Sequence, residues 1–228
     1  MHNFFIKQTY NNKTMKKLIL ILSILLNFAV SAQNVVTNNS LTIKHGDLTL
    51  YLNDDTCTMV SKHVLKYKNF KKIDSDRDNK WFQDTYKGKY NREFYKNTGY
   101  DLGHLTPSHI TSYNDSLNHD SFSLFNQAPQ IASFNRGKWA QLEKGVEDSI
   151  AKYKSNAVII TGVIYDPENK EYLGKSRIPI PIAYFKVLVL KKNTYAWIGS
   201  NNNGTITTIT IKQLNEVFVI NKMNFQIN

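Results

Sequence analysis

Residues 157–165, with the sequence Ala-Val-Ile-Ile-Thr-Gly-Val-Ile-Tyr, form an almost unbroken apolar run that is rich in β-branched side chains. A run of this length and composition is typical of a strand buried at the centre of a sheet. The apolar segments 183–190 and 195–199 are predicted to follow as paired strands, and residues 41–52 alternate as a hairpin does. Residues 58–67 alternate less regularly and are predicted to form another strand. The chain is therefore expected to fold around a sheet.

One longer segment, residues 134–153, has the periodicity of a helix. Within it Trp139, Leu142, Val146 and Ile150 are spaced so that a helix would bury them as one stripe. A helix of this kind needs a partner surface, and the predicted sheet provides one. The combination indicates an α+β fold.

The first 32 residues have the composition of a Sec-type signal peptide. Residues 15–17 are Met-Lys-Lys, residues 18–29 are apolar, and residues 30–32 end in small side chains, so we expect cleavage after Ala32. The segment before Met15 is interpreted as an over-called start. The apolar run is too short to cross a bilayer comfortably. We therefore expect a secreted or periplasmic protein without membrane anchoring.

The remaining segment, residues 33–228, contains 196 residues and no repeat or linker that divides it, so it is predicted to be a single domain. It carries 25 basic and 18 acidic residues, a balance of +7, whereas the whole chain carries +11. A basic balance suits a polyanionic partner such as nucleic acid. Cys57 is the only cysteine, which excludes an intramolecular disulfide and disfavours zinc held by cysteines.

Two segments carry the residues best suited to chemistry. Residues 99–107 are Gly-Tyr-Asp-Leu-Gly-His-Leu-Thr-Pro, which predicts a short strand that delivers His104 to a loop. Residues 125–143 begin with Phe-Asn-Gln-Ala-Pro-Gln and continue into the helix, with Asn135 near the helix start and Glu143 about two turns later. A histidine, an asparagine and a glutamate in this order are the parts of a phosphodiesterase site with one metal ion.

These residue types suit the hydrolysis of a phosphodiester. A neutral histidine can take the proton of the attacking water, and a divalent metal can neutralise charge on the phosphoryl oxygens. Mg²⁺ prefers oxygen ligands and keeps several waters, so one asparagine carbonyl and the phosphate can hold it while a glutamate orders the waters. On one regular helix Asn135 and Glu143 would lie about 12 Å apart along the axis, which is far for direct ligation by both.

Together the two motifs resemble the DNA/RNA non-specific endonucleases, a ββα-metal (His-Me finger) family, from about residue 58 to residue 225. The resemblance implies an α+β fold with a central, mostly antiparallel sheet flanked by helices. It also implies an Mg²⁺-dependent endonuclease that hydrolyses phosphodiester bonds of DNA and RNA and leaves 5′-phosphate ends. Mn²⁺ is the alternative metal.

The resemblance implies roles for individual residues. The family motif Asp-Arg-Gly-His aligns with residues 101–104, so His104 would be the general base and Asp101 would orient neighbouring groups. The family asparagine that precedes a Gly-x-Trp-x-x-Leu-Glu run is the sole protein ligand of the metal. This role passes to Asn135, and Glu143 would hold the metal through water.

Three further positions bear on the site. Asn126 matches the asparagine before x-x-Pro-Gln that supports the family site, and Arg77 matches an arginine that contacts substrate phosphate. Leu102 stands where the family has an arginine, so one cation close to the site is missing. Arg136 and Lys138 are candidates to replace it.

The departure at Leu102 keeps open a second hypothesis, a nucleic-acid-binding homologue with weakened catalysis. A third is a phosphodiesterase for a smaller substrate. A calcium loop at residues 74–85 is disfavoured because the turn glycine and the last glutamate are absent. Zinc is disfavoured because His104, His109 and His119 lack helical i, i+4 pairing. DNA and RNA are the expected partners, no obligate protein partner is indicated, and a homodimer stays open.

Overall fold

The computed structural model describes residues 35–37, 41–53, 58–74, 80–82, 91–176, 178–191, 193–223 and 225–228. Within them, the chain builds a seven-stranded sheet in which neighbouring strands are antiparallel. In spatial order its strands are β10 (Ile206–Ile209), β9 (Asn193–Ser200), β8 (Ala183–Leu190), β7 (Ala157–Ile164), β4 (Thr58–Leu65), β3 (Leu48–Asn53) and β2 (Leu41–His45). The predicted hairpin, the central apolar strand and the paired strands after it are confirmed.

Two smaller antiparallel ribbons accompany this sheet. β1 (Val35–Thr37) pairs with β11 (Phe225–Ile227), and β5 (Tyr100–His104) pairs with β6 (Gln127–Ile131). The strand predicted to deliver His104 is therefore present, and its partner is the segment that leads into the predicted helix. This ribbon brings the two sequence motifs together.

Five α-helical segments lie in the described residues. They are α1 (Tyr67–Phe70), α2 (Asp115–Ser121), α3 (Ala132–Phe134), α4 (Ala140–Tyr153) and α5 (Ile211–Ile220). A wide π turn, Asn135–Trp139, joins α3 to α4, and inside it Gly137 has non-helical backbone angles, φ −107° and ψ −109°. The prediction of one regular helix over residues 134–153 is therefore wrong at its first turns. The helical distance that it implied between Asn135 and Glu143 does not apply.

The two faces of the central sheet pack against different layers. On one face α5 buries Leu214 and Phe218 against apolar residues that include Phe185 of β8. On the other face α4 buries Ile150 against strand residues that include Leu188. Full burial of each such side chain contributes about 1.5–3 kcal/mol. The sheet is thereby held between α5 and the layer that contains the β5–β6 ribbon, the π turn and α4.

Among the described residues, no helix is long and apolar enough to cross a membrane. The predicted signal peptide, residues 1–32, lies outside the described part of the chain, and so does Arg77.

Candidate active site

His104 is the last residue of β5 and is positioned by backbone pairing with β6. His104 lies opposite Gln127, and the pairing continues past the strand end because the N–H of Leu105 donates to the carbonyl of Asn126 at 2.8 Å. The histidine therefore sits where an ordered strand gives way to a loop. Its backbone is fixed on both sides.

Gly103, the residue before His104, is required by close packing in this ribbon. A Cβ at this position would fall 2.6 Å from Cβ of Gln130 and closer still to its Oε1. Real side chains do not approach so closely, so only glycine lets the buried Gln130 side chain lie over β5. The glycine of the motif thus serves the pairing of β5 with β6.

The imidazole of His104 packs against two aromatic rings that also contact each other. Trp81 lies 5.0 Å from it, centroid to centroid and tilted by 45°, and Phe122 lies 5.1 Å away at 89°, edge to face. Trp81 lies in segment 80–82, which is held in place because the N–H of Leu124 donates to the carbonyl of Phe82 at 2.9 Å. These contacts limit rotation of the imidazole.

Asn126 is fully buried and fixes the loop after His104. Its Oδ1 accepts from the N–H of Thr106 at 3.0 Å, and its Nδ2 donates to the carbonyls of Thr106 and Ser121 at 2.8 Å each. Both amide protons are thus engaged with backbone oxygens. In this geometry Asn126 supports the loop between His104 and α2.

Asp101, at the other end of β5, joins the ribbon to the π turn. Its Oδ2 accepts from Nδ2 of Asn135 at 2.9 Å and from Nε of Arg136 at 2.9 Å. Its Oδ1 accepts from Nη2 of Arg136 at 2.6 Å, so the guanidinium binds the carboxylate with two parallel hydrogen bonds. Burial acts to raise the pKa of Asp101, but the hydrogen bonds from Arg136 and Asn135 outweigh it and lower the pKa. Asp101 is held as a carboxylate.

The hydrogen bond to Asp101 also orients the Asn135 amide. Because the NH₂ group of Asn135 donates to a carboxylate, its carbonyl Oδ1 is the atom of this amide that can act as a metal ligand. A neutral amide oxygen is a hard ligand of the kind that Mg²⁺ and Mn²⁺ accept. The residue predicted to bind the metal therefore fits that task.

Glu143 lies in the first turn of α4 and makes an ion pair with a buried lysine. Its Oε1 is 3.5 Å from Nζ of Lys186 on β8, and the side chain of Lys186 is only 1% exposed. Burial raises the pKa of the Glu143 carboxyl, and the ammonium of Lys186 acts against that increase. Burial lowers the pKa of Lys186, and Glu143 opposes that decrease.

Within the described residues, no three histidine, cysteine, aspartate or glutamate side chains cluster as they would around a metal held by protein alone. The site expected from the sequence has a different form, with Asn135 as its one protein ligand and with water and substrate in the remaining positions. The side chain of Glu143 is partly exposed, at 22%.

The predicted site residues are held by different kinds of contact in the structure. Asp101 contacts Asn135 directly, Asn126 braces the loop after His104, and Glu143 is held from the sheet beneath it. Arg136, a candidate cation, is 73% exposed but paired with Asp101. Sequence reasoning missed Lys186, although a single lysine inside the apolar strand Ala-Tyr-Phe-Lys-Val-Leu-Val-Leu was a visible signal of a buried charge.

Sequence reasoning also missed Trp81. It lies in a polar, turn-rich segment for which the sequence predicted no strand or helix, and its contact with His104 depends on the pairing of segment 80–82 with the chain near Phe122. No local pattern predicts a contact of that kind.

A histidine at the end of a β-ribbon, followed by a helical segment with an asparagine and a glutamate, defines the ββα-metal class of nuclease folds. The chain belongs to the DNA/RNA non-specific endonuclease family, whose profile matches residues 27–227. Human mitochondrial endonuclease G is 31% identical over 106 residues, which are 42% of this chain and 35% of that protein. Nuclease C1 of Cunninghamella echinulata var. echinulata is 30% identical over 115 residues, 45% of each chain.

These matches span less than half the length of both relatives. A solved structure of an EndoG/EndoGI complex is similar over 77% of this chain and 82% of that chain, with a TM-score of 0.63 and 22% sequence identity. This likeness shows the shared fold.

Proposed function

We propose that this protein is a metal-dependent endonuclease that hydrolyses phosphodiester bonds in both DNA and RNA. The observation that carries the proposal is the hydrogen bond between Asp101 and Asn135. This hydrogen bond leaves the amide oxygen of Asn135 available to a metal ion, on the segment tied to the strand that ends in His104. Membership of the family and the nuclease names of the relatives support the same activity.

In this proposal His104 is the general base. Its ring, packed against Trp81 and Phe122, accepts a proton from the attacking water at one nitrogen. Because the nucleophile is water, the reaction needs no 2′-hydroxyl group on the substrate. Cleavage of both sugar types is therefore expected, and the resemblance to the family implies products with 5′-phosphate ends.

The metal would be held by Oδ1 of Asn135, with Glu143 binding its water ligands. When bound, a divalent cation neutralises charge on the phosphoryl group and lowers the pKa of water that can protonate the leaving oxygen. Mg²⁺ is proposed as the working ion, with Mn²⁺ as the substitute, because the ligands are hard oxygens. Asp101 keeps the Asn135 amide oriented, and Asn126 keeps the loop after His104 in place.

Positive charge would attract the polyanionic substrate. Residues 33–228 carry a formal balance of +7, and the exposed guanidinium of Arg136 lies beside Asp101 and Asn135. We propose that Arg136 supplies the positive charge that is missing because Leu102 replaces the family arginine. We also propose that Arg77 contributes a phosphate contact. Lys138 is exposed in the same turn and adds to this charge.

We also propose that residues 1–32 direct export and that residues 33–228 act as one domain. The support is the composition of the N-terminal segment and a family match that spans residues 27–227.

The test is cleavage of supercoiled plasmid and of single-stranded RNA by the purified protein, with Mg²⁺ or with excess EDTA. His104→Ala should lower the rate on both polymers by about 10²–10⁴-fold, the usual contribution of a positioned base. His109→Ala is the matched control, because His109 is an exposed histidine paired with Glu147.

Cleavage of both polymers that needs Mg²⁺ and His104 would support the proposal. A folded protein that retards DNA but cuts neither polymer with any divalent metal would overturn it in favour of nucleic-acid binding alone.

A further inference from the structure

A row of polar side chains crosses the centre of a largely apolar sheet face. Ser61 of β4 is paired with Thr161 of β7, and Thr161 is paired with Lys186 of β8. Ser61 and Thr161 are 0% exposed and Lys186 is 1% exposed. The neighbours along β7 on the same face, Ile159 and Val163, are buried apolar residues. The row therefore interrupts a continuous core.

The ammonium of Lys186 is fully occupied at the end of this row. Its Nζ donates to Oγ1 of Thr161 at 2.8 Å, lies 3.5 Å from Oε1 of Glu143 and lies 5.0 Å from the centre of the Trp139 ring. A hydrogen bond, an ion pair and a cation–π contact thus hold it from three sides. A side chain with 1% exposure cannot reach a nucleic-acid phosphate itself.

A buried ion pair is a poor source of stability. Removing two charges from water costs about as much as their attraction returns, and apolar replacements of similar volume are often neutral or stabilising. A chain that keeps a lysine here, where Leu188 and Tyr184 flank it on the same strand face, gains little folding free energy from it. The more direct consequence of the pair is that one carboxylate oxygen of Glu143 has a fixed place.

We propose that Lys186 is a positioning residue that fixes the Glu143 carboxylate for the hydrated metal ion of the site. The ion pair engages Oε1 from the sheet side, which would leave the second oxygen of Glu143 to bind the waters of the ion. This inference rests on the proposed function, because it assigns to Lys186 a task within that same metal site.

The polar row also contacts the loop that follows His104. Oγ of Ser61 donates to the carbonyl of Thr161 at 3.4 Å, and Oγ1 of Thr106 donates to Oγ of Ser61 at 3.0 Å. Thr106 is two residues after His104, and its backbone is clamped by Asn126. One continuous set of contacts therefore links Glu143 to the loop that follows His104.

The experiment compares the wild type with Lys186→Met, Glu143→Gln and the double variant, with Lys191→Met as the control. Methionine matches the length of lysine without its charge, and Lys191 is an exposed lysine just after β8. Two quantities are measured without nucleic acid: the urea midpoint of unfolding in EDTA, and the rise in Tm on adding Mg²⁺. A third is the Mg²⁺ concentration that half-saturates plasmid cleavage.

Lys186→Met should raise the half-saturating Mg²⁺ concentration by about 10–100-fold, the usual effect of losing a group that orients metal-binding residues. It should also shrink the Mg²⁺-dependent rise in Tm. In the Glu143→Gln background the same substitution should have little further effect on either quantity, because Lys186 acts through Glu143. The double variant should recover part of the urea midpoint that Lys186→Met loses, since no unpaired charge remains.

If Lys186→Met does not fold, Thr161→Val keeps the charge but removes the hydrogen bond that aims it. It should raise the half-saturating Mg²⁺ concentration by a smaller factor. If the wild type cleaves and both variants respond to Mg²⁺ as the wild type does, the inference is overturned while the nuclease assignment stands. If the wild type cuts no polymer with any divalent metal, the proposed function fails and the inference fails with it.

Discussion

Oδ2 of Asp101 accepts a hydrogen bond of 2.9 Å from Nδ2 of Asn135, and this contact joins β5 to the π turn. The two residues are 34 positions apart in sequence, yet one carboxylate sets the direction of the other's amide. The wide turn and the break at Gly137 separate Asn135 from the regular helix that carries Glu143. The amide that we propose as the metal ligand is therefore oriented by a neighbouring strand rather than by helical geometry.

Asp101→Asn tests this relationship. The substitution keeps the shape of the side chain but removes the charge that holds Asn135 and Arg136, so the Asn135 amide should lose its fixed orientation. We expect a loss of about 10–100-fold in cleavage rate or in apparent Mg²⁺ affinity, measured by cleavage over a series of Mg²⁺ concentrations. Asp148→Asn is the control, since Asp148 is an exposed acid that pairs with Lys144. A wild-type response to Mg²⁺ in Asp101→Asn would remove Asp101 from the metal site.

Gly103→Ala tests the steric requirement of the β5–β6 ribbon. The added methyl group would collide with the buried Gln130, so the strands must separate, and overpacking of this kind costs about 1–3 kcal/mol. We expect a lower urea midpoint together with loss of cleavage, because His104 is the next residue. Gly145→Ala is the matched control: Gly145 lies in α4 with open space around its Cβ position, and alanine there should stabilise by up to about 1 kcal/mol. Equal midpoints for the two variants would contradict the packing account.

His63 should make stability depend on pH. It is fully buried on β4, and burial lowers its pKa to about 4, although Asp47 acts in the opposite direction. Between pH 6.5 and about 4 the unfolded chain binds a proton at His63 that the folded chain does not. The free energy of unfolding should therefore fall as the pH is lowered through this window, by an amount on the order of 3 kcal/mol from this residue.

The measurement for His63 is urea unfolding at pH 7 and at pH 4.5, for the wild type and for His63→Gln. Glutamine places an amide nitrogen near Nε2, where Tyr113 Oη is 3.3 Å away, but it does not titrate. The variant should lose less stability than the wild type over this range. Parallel pH dependence in the two proteins would show that His63 is not the cause.

Much of the sheet could be predicted because its pattern is local. The alternation in residues 41–52 predicts β2 and β3, because one face of each of these strands is less exposed than the other. The apolar run at residues 157–165 predicts β7, because both faces of this strand are buried. Trp139 was predicted to belong to the buried stripe of the helix, and it is fully buried against Phe134 and Tyr184. The order of the motif residues also indicated the family before any contact was known.

The amino-acid sequence alone thus determined most strands of the central sheet and the apolar stripe of α4, and it indicated the residues that we propose as base and ligand. Only the tertiary structure decided how those residues are aimed. The π turn, the pairing of Arg136 with Asp101, and the contacts of Lys186 with Thr161 and Glu143 join positions that are far apart in the chain. Short-range periodicity records which side of an element is buried, but the partner of a buried charge depends on strand register and on how a helix lies across the sheet.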